Sequence, residues 1–371
     1  MKTHVPLRVC HIVSGDGWGG LEAVVLNLIC GQTARRELEP SLVILNEGRL
    51  AKLAREAGLP VCVLPETGMN VWKLARALDR VLSDLAPTII HTHRYKEQFL
   101  SYILAWRHGA RCVATLHGYE PPSAFSDRLA VAIRDAVNFT LAKLVKARFV
   151  AVSEDLRQRY QVSPERCTII PNGIRVQDFT SRSEIPMTTE QSSATVIGWI
   201  GRMVPVKGLT TLLHAVAQMS ARSHRLRVLL VGEGPERVAL ETQARRLGIA
   251  KLVEFVGFIP DPQSFLLSLD IFALPSLHEG IPMVLLEAFA AEVPVVAAAV
   301  GGIPDMIGDS DAAYLVPSSS PEAWAAALTE LIADREKARM MGKRGRRLVE
   351  ERFSLESMVE RYIDVYYAAV S

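Results

Sequence analysis

The sequence predicts an α/β protein built from two doubly wound parallel sheets, for three reasons. Short β-branched runs alternate with amphipathic segments along nearly the whole chain, the pattern of parallel strands covered on both faces. The alternation breaks once, at 177–194, where QDFTSRSEIPMTTEQSSA is polar and reads as a linker. At 371 residues, 49% hydrophobic and 22% charged, the chain is long and apolar enough for two cores.

Taken in order, the runs 7–14, 42–45, 61–64, 88–93, 112–117, 149–153 and 168–171 read as strands of a first domain, 1–176. Each is followed by a helical or loop stretch, as βα crossovers require. After the linker, 196–200, 227–231, 253–256, 271–274, 295–300 and 313–316 repeat the pattern in a second domain, 195–352. The segment from Pro321 onward is helical by period. It ends, within 353–371, in a helix whose Tyr362, Val365, Tyr366 and Ala369 form one stripe that needs a surface to cover. Two such domains leave a cleft at the carboxyl ends of their strands, where open α/β folds place ligands.

Composition excludes several classes of function. The start of the chain carries no secretory signal or anchor pattern, so the mature chain is expected to begin at Met1. The longest apolar stretch, 281–304, is broken by Glu287, Glu292 and Pro294, which argues against a membrane span. The cysteines Cys10, Cys30, Cys62, Cys112 and Cys167 are odd in number and widely spaced, which suits a reducing cytoplasm. Net charge is +2, but 1–176 holds 23 basic against 16 acidic residues while 177–371 holds 19 against 24. No nucleic-acid partner is expected from an acidic second half. An anionic membrane surface could meet the first half, where the helical stretch 129–149 sets Arg134, Lys143, Lys146 and Arg148 beside Leu141, Leu144 and Val145. Scattered solubility charges are the competing explanation.

Three motifs carry the chemistry. After the first strand, Gly15-Asp16-Gly17-Trp18-Gly19-Gly20 opens a helix at Leu21 and satisfies G-x-G-x-x-G, so a dinucleotide is one candidate ligand. The second strand ends near Glu47, farther from the glycines than a ribose-binding acid usually lies. Bare amides at Gly19 and Gly20 cradling some other phosphate, or a plain tight turn, remain as readings. In the second domain, Gly201-Arg202 and Lys207-Gly208 put two cations at a strand-to-helix turn, where Arg202 can fork two phosphate oxygens and Lys207 can act as a point charge. Finally, Ser276-Leu277-His278-Glu279-Gly280-Ile281-Pro282 leads into a helix starting at Pro282 and carrying Glu287. Carboxylates in such apolar sequence are costly to bury without ligands and accept paired hydroxyls well.

These motifs, in this order and spacing, resemble the retaining glycosyltransferases of family 4. The resemblance rests on Glu279 and Glu287 as E-x(7)-E, Gly201 to Gly208 as G-R-x(4)-K-G, and Gly19 to Glu22 as G-G-x-E. Asn172-Gly173-Ile174, the run from Val231 to Glu236, and Gly301-Gly302-Ile303-Pro304 extend it over nearly the whole chain. It implies a GT-B fold, two Rossmann-like domains facing each other across a cleft, with a closing helix that returns to the first domain. It also implies a UDP- or GDP-sugar donor, a glycan or lipid-linked acceptor, retention, and neither metal nor cofactor. Carried over by position, Arg202 and Lys207 would hold the diphosphate, Glu287 the ribose, and Glu279 the sugar hydroxyls. Gly19 and Gly20 would approach the phosphates, Gly280 and the amides of Met283 and Val284 would complete the site, and the base would lie near 257–259. His117 matches a histidine that reaches the donor sugar, so His117 and Glu279 stand as the catalytic pair.

One departure is the Ile281-Pro282 that stands where family members often carry Phe-Gly; the proline lacks an amide donor. Separately, His91, His93 and His117 could form a three-histidine zinc site, and Arg94 and Lys96 could contact an anionic acceptor. The sequence thus leads to a cytoplasmic enzyme, peripheral at the inner membrane face if the basic half attaches there, that builds cell-surface polysaccharide. A nucleotide-sugar epimerase of the same build, an NAD-dependent oxidoreductase and a non-catalytic sugar-nucleotide binder are the alternatives.

Overall fold

The computed structural model describes residues 5–15, 17–118, 125–180, 194–220, 225–259 and 261–371. Among them the chain divides into two compact units, Met1–Asn172 with Leu355–Ser371, and Gly173–Ser354. The sequence places the boundaries at 176 and 352; the units divide a few residues away from each. Most of the polar run, 181–193, lies outside the described residues.

Unit 1 runs β1 (Leu7–Val13), α1 (Gly20–Thr33), β2 (Leu38–Ile44), α2 (Arg49–Glu56), β3 (Val61–Val63), α3 (Val71–Leu85), β4 (Ile89–Thr92), α4 (Tyr95–His108), β5 (Arg111–Leu116), α5 (Phe125–Leu144), β6 (Arg148–Ala151), α6 (Glu154–Arg159) and β7 (Cys167–Ile169). Its strands pair in parallel in the order β3-β2-β1-β4-β5-β6-β7. Local chemistry sets the ends: the Asn70 carboxamide accepts from Lys73 N–H to cap α3, and Gly109, at φ +64, closes α4. Val13, Val25, Ile29, Leu42 and Ile44 form core between β1, α1 and β2.

Unit 2 runs β8 (Thr195–Ile200), α7 (Leu209–Ser220), β9 (Leu226–Val231), α8 (Arg237–Arg246), β10 (Val253–Gly257), α9 (Pro262–Leu267), β11 (Ile271–Leu274), α10 (Met283–Ala290), β12 (Val295–Ala298), α11 (Ile303–Ile307), β13 (Tyr314–Val316), α12 (Pro321–Ala333) and α13 (Arg335–Arg352). Its parallel order is β10-β9-β8-β11-β12-β13. Trp199, Leu212, Val228 and Trp324 are buried in its core.

The last helix, α14 (Leu355–Val370), belongs to unit 1. It packs on α1 and buries Tyr362, Val365 and Tyr366. A Cβ added to Gly31 of α1 would lie 2.6 Å from a Val359 methyl, a measure of how closely the two helices approach. Each sheet reverses its strand order once, between β1 and β4 and between β8 and β11. Loops leaving the carboxyl ends there form the crevices in which such sheets bind ligands. Among the described residues no helix is long and apolar enough to cross a membrane.

Candidate active site

In unit 2 the loop 201–208 leaves β8 and the loop 275–282 leaves β11. The two are fastened together. Leu277 N–H donates to the Val206 carbonyl at 2.7 Å. Gly208, at φ +63, brings its Cα so near that a Cβ would lie 2.1 Å from the Pro275 carbonyl oxygen, so only glycine fits. The Gly301-Gly302 turn braces the second loop in the same manner: Gly302 N–H donates to the Glu279 carbonyl at 3.2 Å, and a Cβ on Gly301 would sit 1.8 Å from that oxygen. From the other side, Met203 N–H donates to the Glu233 carbonyl at 2.8 Å. The glycine motifs thus act as backbone supports for the residues between them.

Those residues are charged. Lys207 Nζ lies 2.7 Å from Glu279 Oε1, and Ser276 Oγ donates to the same oxygen at 2.6 Å. The lysine and glutamate side chains are 25% and 10% exposed, so the pair is partly desolvated and preorganised, yet reachable. Arg202 is exposed and makes no ion pair among the described residues. Gly280 is buried. Met283 and Val284 begin α10, where first-turn amides have no acceptor within the helix. The sequence starts this helix at Pro282; it starts at Met283, with Pro282 as N-cap at ψ 126, because a proline needs no N–H partner in that extended position. Glu287, one turn further along α10, is partly buried, and burial pushes its carboxyl up to about 7. A cation, a braced carboxylate, open helix amides and a second carboxyl of raised affinity for protons suit a ligand carrying both phosphate and vicinal hydroxyls.

In unit 1, Gly19 is the N-cap of α1 in extended conformation and Gly20 its first residue, one position earlier than the sequence suggests. Both are exposed, and a Cβ on Gly19 would meet nothing closer than a Glu22 oxygen at 3.5 Å. Packing therefore does not demand glycine at 19. Glu22 is buried and paired with Arg94, while Lys96 pairs with Glu66 at 2.5 Å. Both cations expected for an anionic acceptor thus already hold a carboxylate. Glu66 also accepts from Asn46 Nδ2 at 3.1 Å, and these side chains line a pocket of about 660 Å³ with Thr67 and Met69.

Behind the crevice of unit 1 lies a buried histidine array. His11 on β1, His91 on β4 and His93 just beyond it cluster with ring centroids 4.3 to 5.3 Å apart, the His11 and His93 rings nearly parallel and the other pairs tilted. His93 Nδ1 is 3.0 Å from Nε2 of His117, which follows β5. His91 bonds Tyr366 Oη and Thr115 Oγ1, each at 2.8 Å. His11 Nδ1 is 3.0 Å from His93 Nε2, and His11 Nε2 is 2.8 Å from Gln32 Oε1. Burial lowers all four rings, His11 to about 4 and His117 to about 3, so they are neutral at pH 7. The three histidines that the sequence offered for a possible zinc site are His91, His93 and His117; the nitrogens that converge within 4.8 Å belong to His11, His91 and His93. Every ring nitrogen of those three is engaged in the hydrogen bonds above, which a cation would have to break.

Sequence reasoning missed His11, Gln32, Asn46 and Glu66. A histidine inside the apolar run of β1 was the available signal, since a buried polar group demands a partner. The tyrosines of α14 read as an apolar stripe, whereas their hydroxyls bond His91, Thr115 and Gln32. In the basic segment, Arg134 is held by Asp135 and lies over the Tyr95 ring at 4.2 Å. Lys143, Lys146 and Arg148 line a recess of about 540 Å³ with Arg111 and Arg166.

Comparison with known proteins decides the affiliation. Residues 18–178 match the family model Glycosyltransferase Family 4, and residues 182–348 match Glycosyl transferases group 1. The chain belongs to glycosyltransferase family 4. This family 4 chain is 30% identical over 283 residues to a D-inositol 3-phosphate glycosyltransferase of Corynebacterium glutamicum (strain R), covering 69% of this chain and 66% of that one. It is 33% identical over 224 residues to the protein of that name from Segniliparus rotundus, covering 58% and 50%. The chain thus spans about half to two thirds of the length of the curated relatives it matches. A crystal structure of Anabaena Alr3699/HepE in complex with UDP-glucose superposes with a TM-score of 0.85 at 21% identity, covering 98% of this chain and 100% of that one. The fold is GT-B.

Proposed function

We propose that this family 4 chain is a glycosyltransferase that moves a sugar from a UDP- or GDP-sugar to a glycan or lipid-linked acceptor, with retention and without a metal. The observation that carries the proposal is the Lys207–Glu279 pair, braced by Ser276, Gly208 and Gly301, at the strand-order reversal of unit 2. The names of the relatives, which include D-inositol 3-phosphate glycosyltransferases, and the UDP-glucose bound to HepE support it.

The residues take these roles. Arg202 and Lys207 contact the diphosphate and offset the charge that grows on it as the glycosidic bond breaks. Met283 and Val284 amides, with Gly280 behind them, add neutral donors, and Gly19 and Gly20 meet the phosphates with bare backbone. Glu287 accepts the ribose hydroxyls, and Glu279 accepts hydroxyls of the transferred sugar once phosphate engages Lys207. His117 touches the sugar near the reacting carbon. The acceptor oxygen attacks from the side of the leaving group, its bond to the anomeric carbon forms as the phosphate bond breaks, and the departing phosphate oxygen takes the proton. Catalysis is then positioning and electrostatics.

The acceptor binds in unit 1, for which the pocket of Asn46, Glu66 and Lys96 is the candidate. Cytoplasmic location, a role in cell-surface polysaccharide synthesis and attachment to an anionic membrane through the basic recess belong to the same proposal. The test is magnesium-free titration with UDP, GDP, ADP, NAD and UDP-glucose on wild type and Glu287→Ala, followed by product analysis. Binding of one nucleoside diphosphate that the variant loses supports the proposal; binding of NAD alone overturns it.

A further inference from the structure

Gln32, His11, His93 and His117 form one hydrogen-bonded row whose polarity follows from its first member. We propose that Gln32, acting through His11 and His93, fixes the tautomer of His117 so that its Nδ1 faces the ligand as a bare lone pair and selects a hydroxyl donor. The proposal rests on the transferase role given to His117 above.

The proton bookkeeping has no free choice once Gln32 is oriented. Its Nε2 donates to the Tyr366 hydroxyl at 2.9 Å, so its Oε1 faces His11 and can only accept. His11 must therefore carry hydrogen on Nε2, which leaves its Nδ1 a lone pair. His93 Nε2–H donates to that lone pair across 3.0 Å, leaving His93 Nδ1 as an acceptor. His117 Nε2–H donates to it across another 3.0 Å. The row ends on His117 Nδ1, which is buried and has no partner among the described residues.

A buried acceptor without a donor costs free energy and is rare unless something completes it. The group that completes this one must bring a hydrogen. A hydroxyl qualifies; a carbonyl or an ionised carboxylate does not. The neutrality that the bookkeeping needs is set by burial of all the rings. His91 stands outside the row, since its nitrogens go to Tyr366 and Thr115, but it shares Tyr366 with Gln32 and so helps hold the amide in place. Gln32, His11 and His93 are accordingly positioning residues, and within the row it is His117 that touches the sugar.

Long-range 1H–15N correlation spectra of the full chain, labelled at histidine, separate protonated from bare ring nitrogens. The expected spectrum at pH 7 shows hydrogen on Nε2 and none on Nδ1 for His11, His93 and His117. Hydrogen on Nδ1 of His117, or a doubly protonated ring among the three, overturns the proposal, whatever the enzyme does. Gln32→Met removes the orienting acceptor and lets the row run in either direction. The expected result is a mixed His117 tautomer with kcat down about tenfold and KM changed far less. A pure Nε2–H form of His117 in Gln32→Met also overturns the clamp. Should that variant not fold, the wild-type spectrum decides alone. Unchanged turnover in His117→Ala with the expected spectrum would instead strike the catalytic role of His117 and leave the clamp standing.

Discussion

Glu287 offers a direct link between burial and ligand binding. With its carboxyl at about 7, about a tenth is ionised at pH 6 and about nine tenths at pH 8. If ribose hydroxyls bind the ionised form alone, the Kd for UDP at pH 6 should exceed that at pH 8 about tenfold, or about 1.4 kcal/mol. Binding near pH 6.5 should also release a proton, visible as a dependence of the calorimetric enthalpy on the ionisation heat of the buffer. The terminal phosphate of the nucleotide titrates near pH ~6 and adds its own slope. Glu287→Gln removes the carboxyl but keeps its shape, so the difference between wild type and variant isolates the residue. Calorimetric titration at pH 6, 7 and 8 is the assay, with GDP in place of UDP if that is the nucleotide bound. The reasoning is refuted if Glu287→Gln binds as tightly as wild type with the same pH profile. In the free protein the sign is opposite: the contribution of Glu287 to the stability of unit 2 is greatest below pH ~4.5, where its carboxyl is neutral folded or unfolded, and is lost as pH rises through about 7.

Other expectations are checked more simply. Lys207→Ala should lower kcat about 100- to 1,000-fold, as losing a preorganised charge at a leaving group does, with an unchanged circular dichroism spectrum. Gly208→Ala should cost at least about 2 kcal/mol in urea unfolding, since its Cβ would overlap the Pro275 carbonyl; Gly58→Ala, at φ +72 with open space around it, should cost only about 1 kcal/mol. Tyr366→Phe strips partners from His91 and Gln32 and should lose about 1–3 kcal/mol, read as a lower thermal midpoint. His11 is held near 4 when folded against 6.5 when unfolded, so its share of stability is complete above pH 6.5. About 3 kcal/mol of it should disappear as pH falls from 6.5 towards 4, and His11→Asn should flatten that part of the urea-midpoint profile.

Much was legible in the sequence because its causes are local. Apolar strand runs, the polar break after Val176 and the glycine and proline punctuation follow from burial periodicity and backbone sterics, which act within a few residues. Glu279 and Glu287 stood out because carboxylates in apolar sequence are expensive, and Arg202 and Lys207 because two cations at a strand-to-helix turn suit phosphate. That Lys207 meets Glu279, 72 positions away, was decided by strand order, which brings the loops after β8 and β11 together. The same holds for Gly301, whose place beneath Glu279 no short motif encodes. In unit 1 the tertiary fold supplied partners that the sequence did not show. Arg94 and Lys96, which could contact an anionic acceptor, are paired with Glu22 and Glu66. Of the three histidines considered for zinc, His93 and His117 stand in a hydrogen-bonded row with His11, and His91 bonds beside it, because Gln32 of α1 and Tyr366 of α14, 334 positions apart, close around them. Propensity and pattern determine which elements form; the direction of each buried hydrogen bond depends on partners that only packing supplies.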